Sequence, residues 1–149
     1  MKLILLIIAV VALVGCGKPL ISDPIVEKAI RGQISKPKGK LTEVDLEKVT
    51  ILVLSSNKLT DVTGLEKLTK LEELYLGDNQ LTNVKGLEKL TQLKKLSLTL
   101  NKLTSVKGLE NLTQLKELYL NDNPDLTKAQ VVQLQKALPK CVILSNTKK

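Results

Sequence analysis

Few side chains in this 149-residue sequence could do chemistry. It has no histidine, tryptophan or phenylalanine, and two cysteines and two tyrosines, Cys16, Cys141, Tyr75 and Tyr119. Without histidine no Ser-His-Asp triad, Cys-His dyad or His-ligated metal can be built. No G-x-x-x-x-G-K-[ST] phosphate loop occurs, and Asp122-Asn123-Pro124-Asp125 lacks the Gly and Glu that would complete a calcium loop. The formal charge of +8 comes from 22 Lys and one Arg against 15 acids. With arginine and aromatics so scarce, neither base-edge readout nor base stacking is supplied, which excludes a nucleic-acid reader. No catalytic residue, metal site or cofactor site is expected. What remains are residues suited to contact: two tyrosines, a few strand-borne charges and one cysteine near the start.

That cysteine closes a targeting pattern. Lys2 precedes an unbroken apolar run of 12 residues, Leu3 to Val14. Such a run is shorter than the roughly 20 residues a membrane-spanning helix needs, but suits the core of a signal peptide. It ends in Leu13-Val14-Gly15-Cys16, which resembles a bacterial lipobox. The resemblance implies cleavage before Cys16, lipidation of its thiol and two or more acyl chains, enough for stable anchoring. Gly17 follows, with no Asp there to signal inner-membrane retention. The expected location is therefore exported and lipid-anchored to a bacterial membrane, at the outer membrane or cell surface. Cys141 is then left without an intramolecular partner, which excludes an internal disulfide.

The elements that must position the contact residues follow from a repeat. Asn57, Asn79, Asn101 and Asn123 are spaced by 22. Apolar residues stand 8, 5 and 3 positions before each: Val49, Leu52 and Leu54, then Leu71, Leu74 and Leu76, then Leu93, Leu96 and Leu98, then Leu115, Leu118 and Leu120. Leu59, Leu81 and Leu103 follow the Asn residues at plus 2, and Gly64, Gly86 and Gly108 at plus 7. A fifth unit, 23 residues on, aligns Leu138, Cys141, Ile143 and Asn146 in the same frame. The L-x-L alternation predicts short parallel strands with leucines inward. The Gly-Leu-Glu-x-Leu segments predict a short return turn. Each unit cannot bury its leucines alone, so stability is a sum over neighbouring interfaces.

This L-x-x-L-x-L-x-x-N unit resembles the 22-residue, internalin-like class of bacterial leucine-rich repeats, over roughly residues 41–146. The resemblance implies an α/β solenoid, a right-handed curved stack with strands on the concave face and helical caps at both ends. It also implies a ladder of stacked Asn57, Asn79, Asn101 and Asn123 side chains. The expected organisation is a signal peptide over 1–15 and an anchor linker over 16–22. An N-terminal helical cap over 23–48, repeats over 49–126 and a C-terminal helix-strand cap and tail over 127–149 complete it. Asp23 or Ser22 caps the first helix, with Ile25, Ala29 and Ile30 as its apolar stripe. Thr42 starts a short turn through Asp45 in which Val44 and Leu46 pack. Thr127 and Gln130 form a capping box ahead of Val131, Leu134 and Leu138, and Pro139 ends that helix. Cys141 is expected as a buried small apolar residue of the last strand.

Alternation places Glu73 and Tyr75, Lys95 and Ser97, Glu117 and Tyr119, and Ile51 and Val53 on the outward face, with Asn121 at a strand end. Both tyrosines fall in one column two strands apart, about 10 Å. A second column reads Glu73, Lys95, Glu117, Lys140, expected as a charge ladder across the sheet. Tyr75 and Tyr119, ringed by Glu73, Lys95, Ser97, Glu117, Val53 and Asn121, form the candidate binding face. The expected function is that of a non-enzymatic, monomeric envelope module that presents this face to an unidentified protein or a surface polymer. The alternative is a structural protein adhering to anionic lipid or polymer through its lysines, with the membrane reached through Cys16 in either case. Replacing Cys16→Ser is expected to release the protein from membranes and abolish palmitate labelling, read by fractionation and metabolic labelling.

Overall fold

An inward leucine pair on a three-residue strand buries well only if the next coil lays its own pair alongside. The computed structural model describes residues 19–147, and there the coils do this. The signal-peptide and lipobox readings, Cys16 included, lie outside those residues. Five strands, β1 (Ile51–Val53), β2 (Glu73–Tyr75), β3 (Lys95–Ser97), β4 (Glu117–Tyr119) and β5 (Val142–Leu144), form one sheet in that order. All neighbours are parallel, and Leu52, Leu74, Leu96, Leu118 and Ile143 stand in one row across it. At about 4.8 Å per strand the sheet is about 20 Å wide. Behind it lies a core made almost wholly of Leu, Val and Ile.

Each coil returns along the opposite side through a 3₁₀ turn, at Leu65–Lys67, Leu87–Lys89 and Leu109–Asn111. The glycine before each turn has a φ of 97, 101 and 102°, a left-handed backbone that a Cβ would strain. Its N–H donates to the glutamate carboxylate two residues on, Glu66, Glu88 or Glu110, at 2.7, 2.6 and 2.6 Å. The recurring Gly-Leu-Glu is thus a backbone device, with glycine making the bend and glutamate satisfying its amide.

The asparagines bind each coil to the one before it. Asn101 Oδ1 accepts from the Leu81 N–H at 3.0 Å, and its Nδ2 donates to the Leu76 and Leu98 carbonyls at 2.9 and 3.1 Å. Asn79 and Asn123 repeat the pattern one coil away on either side. An amide carries both donors and an acceptor, which aspartate does not, so Asn suits this buried corner. Asn57 is the outermost and only half-buried, and its side chain donates to its own coil, at Ser55 O. The residue before each Asn, namely Ser56, Asp78, Leu100 and Asp122, has φ between 54 and 60°.

At the first end, α1 (Pro24–Gln33) starts at Asp23, whose carboxylate accepts from the Ile25 and Val26 N–H groups. Its buried stripe is Val26 and Ile30, one helical turn apart, while Ile25 and Ala29 pack only partly. The stripe is therefore rotated from the expected one: α1 lies beside β1, and Val26 rather than Ile25 is buried against the core. The short helix α2 (Glu43–Leu46) has a reciprocal cap between Thr42 and Asp45. Lys36 at 2.6 Å, with Thr42, holds the Asp45 carboxyl well below the usual range. Leu46 is buried, but Val44, expected to pack, is 62% exposed, since one turn of helix can turn only one of the two inward.

At the far end, α3 (Lys128–Ala137) begins with the Thr127–Gln130 capping box and buries Leu134, followed by Leu138. The fifth unit departs from the sequence frame. The Cys141 N–H donates to Leu138 O, as Leu115 does to Leu112, so Cys141 takes the place of Leu115. Ile143 then pairs with Leu118. A ten-residue helix replaces a three-residue turn, so the chain re-enters the sheet later than the 23-residue spacing suggests. Asn146 is exposed and exchanges hydrogen bonds with Asp122 instead of joining the asparagines inside. Lys140 is displaced from its expected column, and Val142 stands beside Glu117 in its place.

Asn101→Ala would orphan one buried N–H and leave two carbonyls short. It is expected to cost about 2–4 kcal/mol, whereas Asn57→Ala should cost about 1 kcal/mol or less, compared by urea unfolding.

Candidate functional site on the outward sheet face

Strands β2 and β4 carry the same tripeptide, Glu-Leu-Tyr. Alternation buries each leucine and leaves Glu and Tyr two residues apart on the same face. They reach one another: Tyr75 Oη donates to Glu73 Oε2 at 2.6 Å, and Tyr119 Oη to Glu117 Oε2 at 2.7 Å. Between them β3 supplies Lys95, in register with Glu73 on one side and Glu117 on the other. Its ammonium stands 2.9 Å from Glu117 Oε2 and 5.5 Å from the centre of the Tyr119 ring. Five of the expected residues, Glu73, Tyr75, Lys95, Glu117 and Tyr119, thus share one face as two hydrogen-bonded Tyr–Glu pairs, the second of them also ion-paired to Lys95.

The titrating groups respond accordingly. The hydrogen bond from Tyr119, then the one from Lys95, lowers the Glu117 carboxyl. The same bond to Glu117 raises Lys95. Both tyrosines are raised, first by the bond to their own glutamate and then by burial. Lys95 and Glu117 therefore keep their charges through the neutral range, with both phenols protonated. An ion pair this exposed does little for stability. The two Tyr–Glu hydrogen bonds, joined on β4 by the ion pair, hold the rings in place, so that little side-chain freedom remains to be lost on contact.

The other expected residues lie around this patch. Ser97 sits between Tyr75 and Tyr119 in the register. Asn121 is half-buried, and its carbonyl is occupied by the Leu100 N–H at 3.0 Å. Val53 is beside Tyr75 and 62% exposed. Sequence reasoning left the partners of Val53 out of the candidate face. Ile51 on β1 and Val142 and Leu144 on β5 are 38, 59 and 45% exposed on the same side. The available signal was an apolar residue at positions that carry charge or tyrosine in sibling strands. The face is polar in the middle and apolar at both edges.

Other candidates do not converge. Asp78 accepts from Ser56 Oγ, and Asp122 is engaged by Asn146. Leu100, 52% exposed, separates them. Among the described residues no group of three or more metal-ligating side chains occurs. Two surface hollows lie elsewhere, one between α3 and the 3₁₀ turn at Leu109–Asn111, the other along α1. Cys141 is 4% exposed, and burial, with the Glu117 charge, pushes its thiol up to about 11. In a Cys16→Ser chain, Cys141 is expected to alkylate at pH 8 at least ~100-fold more slowly when folded than in urea, because its thiolate is scarce and covered.

Comparison with known proteins agrees with this architecture. Residues 47–89 match the family of leucine-rich repeats in two copies. No curated protein matches the chain in sequence. Among solved structures, internalin C2 of Listeria monocytogenes superposes with a TM-score of 0.74 at 25% identity, over 87% of this chain and 58% of that one. Internalin J of the same species gives 0.72 at 28%, over 87% and 27%. A leucine-rich-repeat protein of Leptospira interrogans gives 0.60 at 32%, over 70% and 28%. The chain spans little more than half the length of internalin C2 and less of the others. With a single parallel sheet, a leucine core and a 22-residue period, it is a leucine-rich-repeat solenoid of the bacterial, internalin-like class.

Proposed function

We propose that this chain is a lipid-anchored module of the bacterial cell envelope that binds a protein partner on its concave sheet face. The observation that carries the reading is the patch of Glu73, Tyr75, Lys95, Glu117 and Tyr119. It holds both tyrosines of the chain, fixed by hydrogen bonds and open on one side. Fixed aromatic rings with a polar tip, set between exposed apolar residues, are the makings of an interface anchor. The terminal helices α1 and α3 serve in this reading as covers for the stack. Chemistry on the partner is no part of it: two carboxylates on an open sheet with a lysine between them enclose no substrate.

The face is about 20 Å by 10 Å, less than a standard interface on one partner. Display of many copies on a membrane through Cys16 would raise the effective affinity without new contacts. The competing reading, adhesion of the lysine-rich exterior to anionic lipid or polymer, makes no use of the tyrosines and should fade steeply with salt.

Photocrosslinking from positions 75 and 119 in intact envelopes identifies the partner. The Tyr75→Ala/Tyr119→Ala double variant is then expected to bind it more weakly by about 2 kcal/mol or more, roughly 30-fold. Unchanged binding by the double variant would refute the reading. Replacing Lys67, Lys85, Lys89 and Lys107 by Glu should leave capture intact, whereas loss of binding there and its steep decline with salt would favour adhesion.

A further inference from the structure

The outward face holds two copies of one motif, and only one is filled. In the filled copy, Glu117 and Tyr119 of β4 have Lys95 as their neighbour on the preceding strand. The lysine head bonds the carboxylate at 2.9 Å and lies near the ring face. In the other copy, Glu73 and Tyr75 of β2 have Ile51 at the equivalent place on β1. Tyr75 donates to Glu73 as Tyr119 does to Glu117, but no ammonium or guanidinium lies within 4 Å of Glu73 among the described residues.

The register forbids an internal solution. Lys95 stands between both glutamates and can neutralise one at a time. The lysine that would have completed the column, Lys140, is displaced, and Val142 ends it. Lys94, the residue before Lys95, is already 2.7 Å from Glu72. The column therefore reads Ile51, Glu73, Lys95, Glu117, Val142, with one carboxylate always unmatched on the outward face of a chain that carries +8 overall.

We propose that Glu73 and Tyr75, with Ile51 and Val53 beside them, receive a single lysine or arginine side chain of the protein partner. This rests on the concave-face reading above and names the chemistry it recognises. The aliphatic stem would lie over Ile51 and Val53, which are 38 and 62% exposed. The charged head would meet the Glu73 carboxylate and the Tyr75 ring, as Lys95 meets Glu117 and Tyr119. The positive charge of the rest of the chain repels a polybasic tract at long range. The fitting ligand is therefore one basic residue between apolar ones.

The test titrates the 15N-labelled full chain in detergent micelles with acetyl-Leu-Lys-Leu-amide, its Arg counterpart and acetyl-Leu-Glu-Leu-amide. The basic peptides should shift amides at 51–53 and 73–75, and the acidic one should not. Glu73→Gln should weaken the basic peptides about tenfold. Glu117→Gln should do the same from the neighbouring motif, because Lys95 is then free to turn to Glu73 and fill the site. Lys95→Gln should open a second, weaker site with shifts at 117–119. The proposal is overturned if the basic peptides leave 73–75 unmoved, or if Glu73→Gln or Glu117→Gln binds them as wild type does. If the crosslinked partner binds Glu73→Gln normally but loses the double tyrosine variant, the basic-side-chain proposal falls and the concave-face reading stands. Loss of neither would sink both.

Discussion

Everything in this molecule depends on the contact between one coil and the next. A single coil has an apolar edge of three or four leucines and no way to cover it. The neighbouring coil covers it with an almost identical edge, and the same contact closes the backbone, through sheet hydrogen bonds in front and the asparagine amides at the corner. Burial and polar satisfaction thus coincide at one interface. The consequence is a narrow choice of residue at each inward position, and near freedom at each outward one.

That freedom explains how a core of such uniformity carries a differentiated surface. Leu74, Leu96 and Leu118 are interchangeable in role and equally inaccessible. The residues flanking them are not. Glutamate and tyrosine on β2 and β4 tie themselves together, lysine on β3 sides with one of the two, and the edge strands carry aliphatics. None of these choices affects the stacking, because the pleat points them away from it. The same separation fits the likeness in shape to internalins at only 25–28% identity.

The irregularities arise where the repeated contact is interrupted. Replacing a 3₁₀ turn by α3 changes how the chain re-enters the sheet, and the last strand slips relative to the sequence frame. Cys141 inherits a leucine position, while Asn146, 23 residues after Asn123, remains at the surface. The slip also sets the charge pattern of the outward face, since it removes Lys140 and leaves an odd column of charges between two aliphatic ends.

The period of 22 was legible in the sequence because stacking demands the same inward residues each time: leucines at the strand, asparagine at the corner, glycine before the turn. From it the parallel sheet, its first four strands and their outward residues could be placed without coordinates. Alternation and spacing are local, and a repeated local rule determines its own neighbours. The register of β5, the rotation of α1 onto Val26, the exposure of Val44 and the choice of Lys95 between two glutamates were not legible. Each depends on how an element of different length packs against the stack, or on which of two equivalent partners a side chain meets in space. Only the tertiary structure decides these, because they are contests between residues that sequence spacing makes equal.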